Sequence, residues 1–426
     1  MINRRAVLLA FGTCVPFTVA SAQATNAPVQ LGEGVPQPDG RAIAIPNAMP
    51  GSVRTAPGAL PWSVRFSRAV MARNPVNHRR WDYTAGVVLG AIERVGRARG
   101  DSAMLRYVQA SMDKFVKPDG SIEGYDVAEY NIDAISQGRV LFPLAQRTTD
   151  KRYRLAAQRL RQQLRTQPRT TEGGFWHKQI YPEQMWLDGL YMGQPFYAQY
   201  AARFASPAER DSIFDDVAKQ FLLVSRHTRD PRTNLMYHAW DAARKQPWAD
   251  TATGLSKNFW ARAMGWYMVA VVETLDDLPA NHPSRSMIIR TLQDAADGIA
   301  RVQDPLTGMW WDVLDQPNRA GNYLESSASA MFVYALAKGA RLGYLASSYR
   351  EVATRGFDGM VANVVREASY GASLVNICQV SGVGGALRKD GSYRDGTFAY
   401  YVSEPVVTDD YKGVGPFIMA ALELKR

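Results

Sequence analysis

Two stretches of the chain set a carboxylate among aromatic and apolar residues. They are Asp133 in YNIDAISQGR and Asp188 in PEQMWLDGLYMGQPFYAQYA, where Trp186 and Tyr191 lie on either side of the acid. An ionised carboxylate in such company is costly unless it is hydrogen-bonded, paired or kept protonated. A carboxyl whose neutral form is favoured by its surroundings suits an acid working near neutral pH, and two acids with differing proton affinities can divide general acid and base work. Each acid also has a local reading. Asp188 would cap the helix that runs on through Phe196, and Asp133 would cap its own, with Asn131 and Ser136 serving the same turn. Capping alone is the simpler account of Asp133 until something pairs it with Asp188. Pro195, seven residues beyond Asp188, fits the first position of a helix, which would leave Asp188 on a preceding turn.

FWARAMGWY brings Trp260, Arg262 and Trp266 to one helix entrance. A guanidinium in that apolar setting requires a carboxylate, from the protein as a structural salt bridge or from a ligand, and its planar fork suits a bidentate bond. Tryptophans beside it either stack on the apolar face of a sugar or belong to the core. His177 in GGFWHKQ and His238 in LMYHAWD each neighbour a tryptophan and are either satisfied structural imidazoles or ligand contacts. HExxH, CxxC, GxSxG, Walker and GxGxxG patterns are absent, and the five histidines show no metal-ligand spacing. The expectation is therefore carboxylate chemistry with no metal and no cofactor.

The elements that must position these groups are helical. WDYTAGVVLGAIERVGRA, NIDAISQGRVLFPLAQRT, NFWARAMGWYMVAVVETLDDL and LESSASAMFVYALAKGARLGYL repeat apolar residues every three or four positions, as buried helices with polar entrances do. Charged amphipathic stretches such as KRYRLAAQRLRQQLRTQ alternate with them as outer partners. Apolar starts near Trp81, Asp133, Asp188, Trp260, Glu325 and Gly413 recur at a regular spacing. Six inner helices, each paired with an outer one, give an all-α fold, a closed (α/α)6 toroid. Its inner N-termini would ring a shallow funnel and attract anions through free N–H groups and the macrodipole. An open α-solenoid binding a partner along its concave face is the alternative.

Arg4 and Arg5, an apolar run from Ala6 and the small-residue site Ala22-Gln23-Ala24 read as a secretory signal over residues 1–24. Export to the periplasm or the medium follows, with no membrane span after cleavage. Residues 25–60 are rich in proline and glycine and read as an extended or poorly ordered lead-in, and residues 61–426 as one catalytic domain. Cleavage also removes Cys14, so Cys378 remains as a lone thiol, read as a small buried residue with no disulfide. Loss of the two signal arginines takes the formal charge from +10 to +8, which favours anionic partners. An exported chain without a basic run or a nucleic-acid module points to acidic polysaccharide rather than nucleic acid. No oligomer is specified, and a monomer is the expectation.

Taken in order with GMWWDV and SEPVVTDDYKGVGPF, these motifs resemble the unsaturated rhamnogalacturonyl hydrolases, glycoside hydrolase family 105, from about Pro61 to the C-terminus. The resemblance implies a six-hairpin toroid and removal of a 4,5-unsaturated uronic acid from the non-reducing end of lyase-generated oligosaccharides. It implies Asp188 as the acid that protonates C4 of the enol ether while water adds at C5. Asp133 would hold sugar hydroxyls and tune Asp188, and His177, Trp186, His238, Trp260, Arg262 and Trp266 would form the uronate subsite. Relatives act on rhamnogalacturonan, ulvan, other plant glycans or glycosaminoglycan fragments, so the following sugar stays open. So do an ordinary inverting glycosidase, with carboxylates roughly 6.5–9.5 Å apart, and a non-catalytic binder of acidic oligosaccharides.

Overall fold

A computed structural model describes residues 35–37, 40–43, 45, 59–75 and 80–426. The signal segment, most of the lead-in and His78 lie outside the described residues.

Six helices form an inner ring: α2 (Tyr83–Arg99), α4 (Asp133–Ser136) continuing through a 3-10 turn into α5 (Leu141–Arg147), α7 (Leu187–Arg203), α9 (Ala261–Thr274), α11 (Ser326–Arg341) and α14 (Tyr411–Leu424). Outside them run α1 (Trp62–Arg73), α3 (Ser102–Asp113), α6 (Arg152–Thr166), α8 (Pro207–Thr228), α10 (Arg285–Arg301) and α12 (Tyr349–Asn363), with the short α13 (Phe398–Ser403) near the C-terminus. Each inner helix packs on the outer helix that follows it, except α14, which packs on α1 from the other end of the chain. The contact of α14 with α2 closes the ring, so the chain folds as the (α/α)6 toroid expected.

Burial explains which helices went where. Every residue of α9 is buried, as suits a helix with neighbours on all sides, whereas α10 buries only a stripe that includes Ile288, Leu292, Ala295 and Ile299. Closure needs a close approach. A Cβ at Gly415 of α14 would come within 2.5 Å of Val87 on α2, so only glycine lets these two helices meet. The expected starts of the six inner helices all fall within two residues of the observed ones. One expected helix is broken: Gln137–Val140 tightens into the 3-10 turn. Pro143 has no N–H to return to Arg139, which removes an α-helical bond there.

Short strands join the loops at the inner helices' N-terminal end. β2 (Gln184–Trp186) pairs antiparallel with β3 (Ala239–Asp241), placing Trp186 opposite Ala239. β4 (Val365–Ala368) pairs with β5 (Gly371–Leu374). β1 (Val35–Pro36) and β6 (Ile377–Cys378) flank β7 (Val406–Thr408) in a three-stranded sheet. Placed structure thus begins before residue 61: Val35–Pro36 is hydrogen-bonded to the domain, and Gln37 is buried. The lead-in's proline and glycine content concealed this because the contacts are made with residues more than 300 positions away.

Candidate active site

Five of the six inner helices carry an acid at the N-terminus, and what each carboxylate does separates them. Asp82, Glu325 and Asp410 occupy N-cap positions and accept backbone N–H bonds from Thr84, Ala328 and Lys412. Asp133 and Asp188 do not cap. Trp186 occupies the N-cap position of α7 without a side-chain cap, and Asp188 is the second helical residue; Pro195 lies inside the helix, so no preceding turn exists. On α4 it is Asn131 whose side chain accepts the Asp133 N–H, at 3.1 Å. The capping reading of both acids is therefore corrected, and both carboxylates face other partners.

Asp133 stands 3.2 Å from His177 Nε2 and 2.7 Å from Lys178 Nζ. Burial would push its carboxyl up, but the Lys178 ammonium and then His177 outweigh that and hold it well below the usual carboxylate range. Asp188 Oδ2 lies 3.2 Å from His238 Nε2, outside good hydrogen-bond alignment, and the Asp188 side chain keeps 13% of its exposure. His238 Nδ1 is 2.8 Å from the Tyr401 hydroxyl. Burial raises the Tyr401 phenol well above its ordinary value, so it keeps its proton; donating it to Nδ1 leaves the Nε2 proton facing Asp188.

The main chain sets this geometry. The Leu187 N–H bonds the His238 carbonyl at 3.1 Å, and the Ile132 N–H bonds the His177 carbonyl at 3.2 Å, so each acid-bearing helix is tied to its histidine. Between the histidines stands Trp186, stacked on His177 at 4.4 Å and meeting His238 edge-on at 5.6 Å. The α4 and α7 entrances meet where a Cβ at Gly193 would come within 2.8 Å of Ile132. A Cβ at Gly189 would stand 3.0 Å from His177 Nδ1, so one imidazole separates Asp133 from the residue beside Asp188.

Arg262 is second in α9 and fully buried. Its guanidinium donates to the Cys378 carbonyl and, at 3.4 Å, to Ser327, and lies over the Trp260 ring at 4.7 Å. Of the two expected partners, the structural salt bridge is corrected: within the protein a carbonyl takes the place of a carboxylate. Glu325 acts one step away, accepting from Ser327 Oγ and, at 3.0 Å, from the Cys378 N–H. Trp260 donates to Asp312 at 3.1 Å. Burial, reinforced by Glu325, raises the Asp312 carboxyl well above its ordinary value. Trp266 packs on Tyr191 at 4.3 Å and is buried, as are His177, Trp186, His238 and Trp260; the two aspartates retain more exposure than these neighbours. Among the described residues no group of three metal-ligating side chains converges.

Sequence reasoning left out Lys178, Tyr401, Asp312 and Glu325 as members of the network. Lys178 follows His177 directly and needed only a partner. Tyr401 lies 163 residues from His238, and no local pattern joins them.

A toroid with two non-capping acids and aromatic neighbours at its inner-helix N-termini is the architecture of an (α/α)6 glycosidase. Residues 62–426 match the family model described as Glycosyl Hydrolase Family 88, and the chain belongs to that family, within its family 88 and 105 group of unsaturated uronyl hydrolases. A family 105 glycoside hydrolase structure from C. acetobutylicum ATCC 824 is 42% identical, with a TM-score of 0.82 over 86% of this chain and 99% of that one. The unsaturated rhamnogalacturonyl hydrolase YesR of Bacillus subtilis is 30% identical over 268 residues, 62% of this chain and 72% of YesR. The unsaturated glucuronyl hydrolase of Bacillus sp. GL1, at 14% identity and TM-score 0.60 over 85% of this chain and 95% of that one, shares the fold.

Proposed function

We propose that the protein removes a 4,5-unsaturated uronic acid, an unsaturated galacturonate, from the non-reducing end of lyase-generated rhamnogalacturonan oligosaccharides. The observation that carries this reading is the pair of non-capping acids, Asp188 and Asp133, each set against its own histidine at adjoining helix entrances. Asp188 donates a proton to C4 while water adds its oxygen at C5, and the aspartate takes up the water's proton. The hemiketal at C5 opens to a ketone, the ring oxygen becomes a hydroxyl on C1, and collapse at C1 expels the remaining oligosaccharide and leaves an aldehyde.

Asp133, held ionised by Lys178, accepts hydrogen bonds from hydroxyls of the uronate ring. His177, Trp186, His238, Trp260, Arg262 and Trp266 shape and support the uronate subsite, with inner-helix N-termini favouring its carboxylate. The basic balance of the chain suits an acidic oligosaccharide, and the signal-like N-terminus supports export to where such substrates are generated. The test is loss of the ultraviolet absorbance of the conjugated C4=C5 uronate when enzyme meets a rhamnogalacturonan lyase digest. Loss on ulvan or glycosaminoglycan digests alone would overturn the substrate. A saturated glycoside cleaved instead would overturn the chemistry.

A further inference from the structure

We propose that residues 35–37 and 40–43 form a strap whose clasp on Asn376 positions Arg262, making these residues, which precede the family-matched region, part of the working site. The buried Asn376 has a positive φ of 58° and uses both backbone and side chain. Its N–H donates to Gln37 Oε1 at 2.6 Å, and its Oδ1 accepts from the Ile43 N–H at 2.8 Å and from Gln37 Nε2 at 3.3 Å. Its Nδ2 donates to the Ile43 carbonyl at 3.0 Å. Gln37 Nε2 also donates to the Arg41 carbonyl at 3.0 Å, which folds the strap on itself.

The other side of the clasp faces the site. The Asn376 carbonyl accepts the Ser326 N–H at 2.9 Å, in the first turn of α11, and Ser326 Oγ returns a bond to the Val375 carbonyl at 2.6 Å. Two residues on, the Cys378 N–H is fixed by Glu325 and the Cys378 carbonyl receives Arg262. Residues 375–378 are thus held between the strap and α11, and they hold the guanidinium over Trp260. Loss of the strap leaves the Asn376 amide and side-chain oxygen without these partners. It also lets the Cys378 carbonyl move, and a displaced Arg262 weakens recognition of substrate more than it weakens proton transfer at Asp188.

The kinetic part of this inference rests on the proposed function; the structural part does not. The experiment compares the full chain with Gln37→Ala and with Ile43→Pro, which removes the N–H donated to Asn376. In each variant, amide hydrogen exchange at Ser326 and Cys378 speeds up about tenfold or more, while exchange at Leu187 is unchanged. KM for the unsaturated oligosaccharide rises about five- to tenfold, with kcat within about twofold of the parent. Unchanged exchange at Ser326 and Cys378 in both variants overturns the clasp whatever the activity. Faster exchange with KM unchanged overturns the positioning role and leaves a purely structural strap. A parent chain that consumes no unsaturated uronate defeats the proposed function, and the exchange data then decide the clasp alone.

Discussion

The two ends of the toroid hold carboxylates and cations in opposite conditions. At the C-terminal end Glu273, near the end of α9, accepts from Arg94, Arg139, Tyr334 and Lys338 and is fully buried. Burial would raise its carboxyl, but Arg94, Lys338 and Arg139 drive it well below the ordinary range. With every partner in place, that cluster joins α2, the 3-10 turn before α5, α9 and α11. At the N-terminal end Asp188 has a single histidine neighbour in imperfect alignment and keeps some exposure. A saturated carboxylate holds helices together; an under-satisfied one beside an opening is left for chemistry.

The largest effect on activity is expected at Asp188. Asp188→Asn retains shape but removes the transferable proton, and kcat falls about 10²–10⁴-fold while the thermal unfolding midpoint is kept. Near-parental turnover would move the acid elsewhere. Glu273→Gln does the reverse: it strands Arg94 and Arg139 at the other end and leaves Lys338 only Asp276, so stability in denaturant falls by about 3–5 kcal/mol, while kcat at a permissive temperature stays close to the parent's. Equal loss of activity and stability would mean that the two ends are not separable.

Asp133 lies between these cases, because it is both paired and close to the acid. Its pKa is depressed in the folded chain, so the stabilisation from Lys178 is present above the unfolded carboxylate value of about 4 and is lost as pH falls below it. Urea unfolding should show Asp133→Asn less stable than the parent by about 1.5–3 kcal/mol at neutral pH, the gap closing in acid. A gap independent of pH would contradict the pairing. The smallest effect belongs to Asp312. Because burial favours its protonated form, Asp312→Asn keeps an acceptor for Trp260 and changes stability by less than about 1 kcal/mol, whereas Asp312→Ala costs about 1–3 kcal/mol. Equal losses from the two variants would mean that the carboxylate charge matters there.

The apolar three- and four-residue spacing of the inner helices made the toroid legible, because those helices are buried on nearly every side. Asp133 and Asp188 were legible as acids in apolar company, yet their role turned on a fact no local pattern carries, namely that Trp186 and Asn131 occupy or serve the caps. The arginine's partner within the protein was not legible because a buried guanidinium is satisfied as well by the Cys378 carbonyl, 116 residues away, as by a protein carboxylate. The strap was hidden for a similar reason. A proline- and glycine-rich stretch gives no periodicity, and the bonds of Gln37 and Ile43 within it are made with the distant Asn376.

On the proposed function, the site hydrates an enol ether from Asp188 and does not displace the glycoside at its anomeric carbon. Turnover of an unsaturated disaccharide in heavy water, followed by nuclear magnetic resonance, tests this directly. Deuterium is expected at C4 of the keto product released by the parent, with Asp188→Asn forming that product at least about 10²-fold more slowly. Release of a uronate with its C4=C5 double bond intact would contradict it.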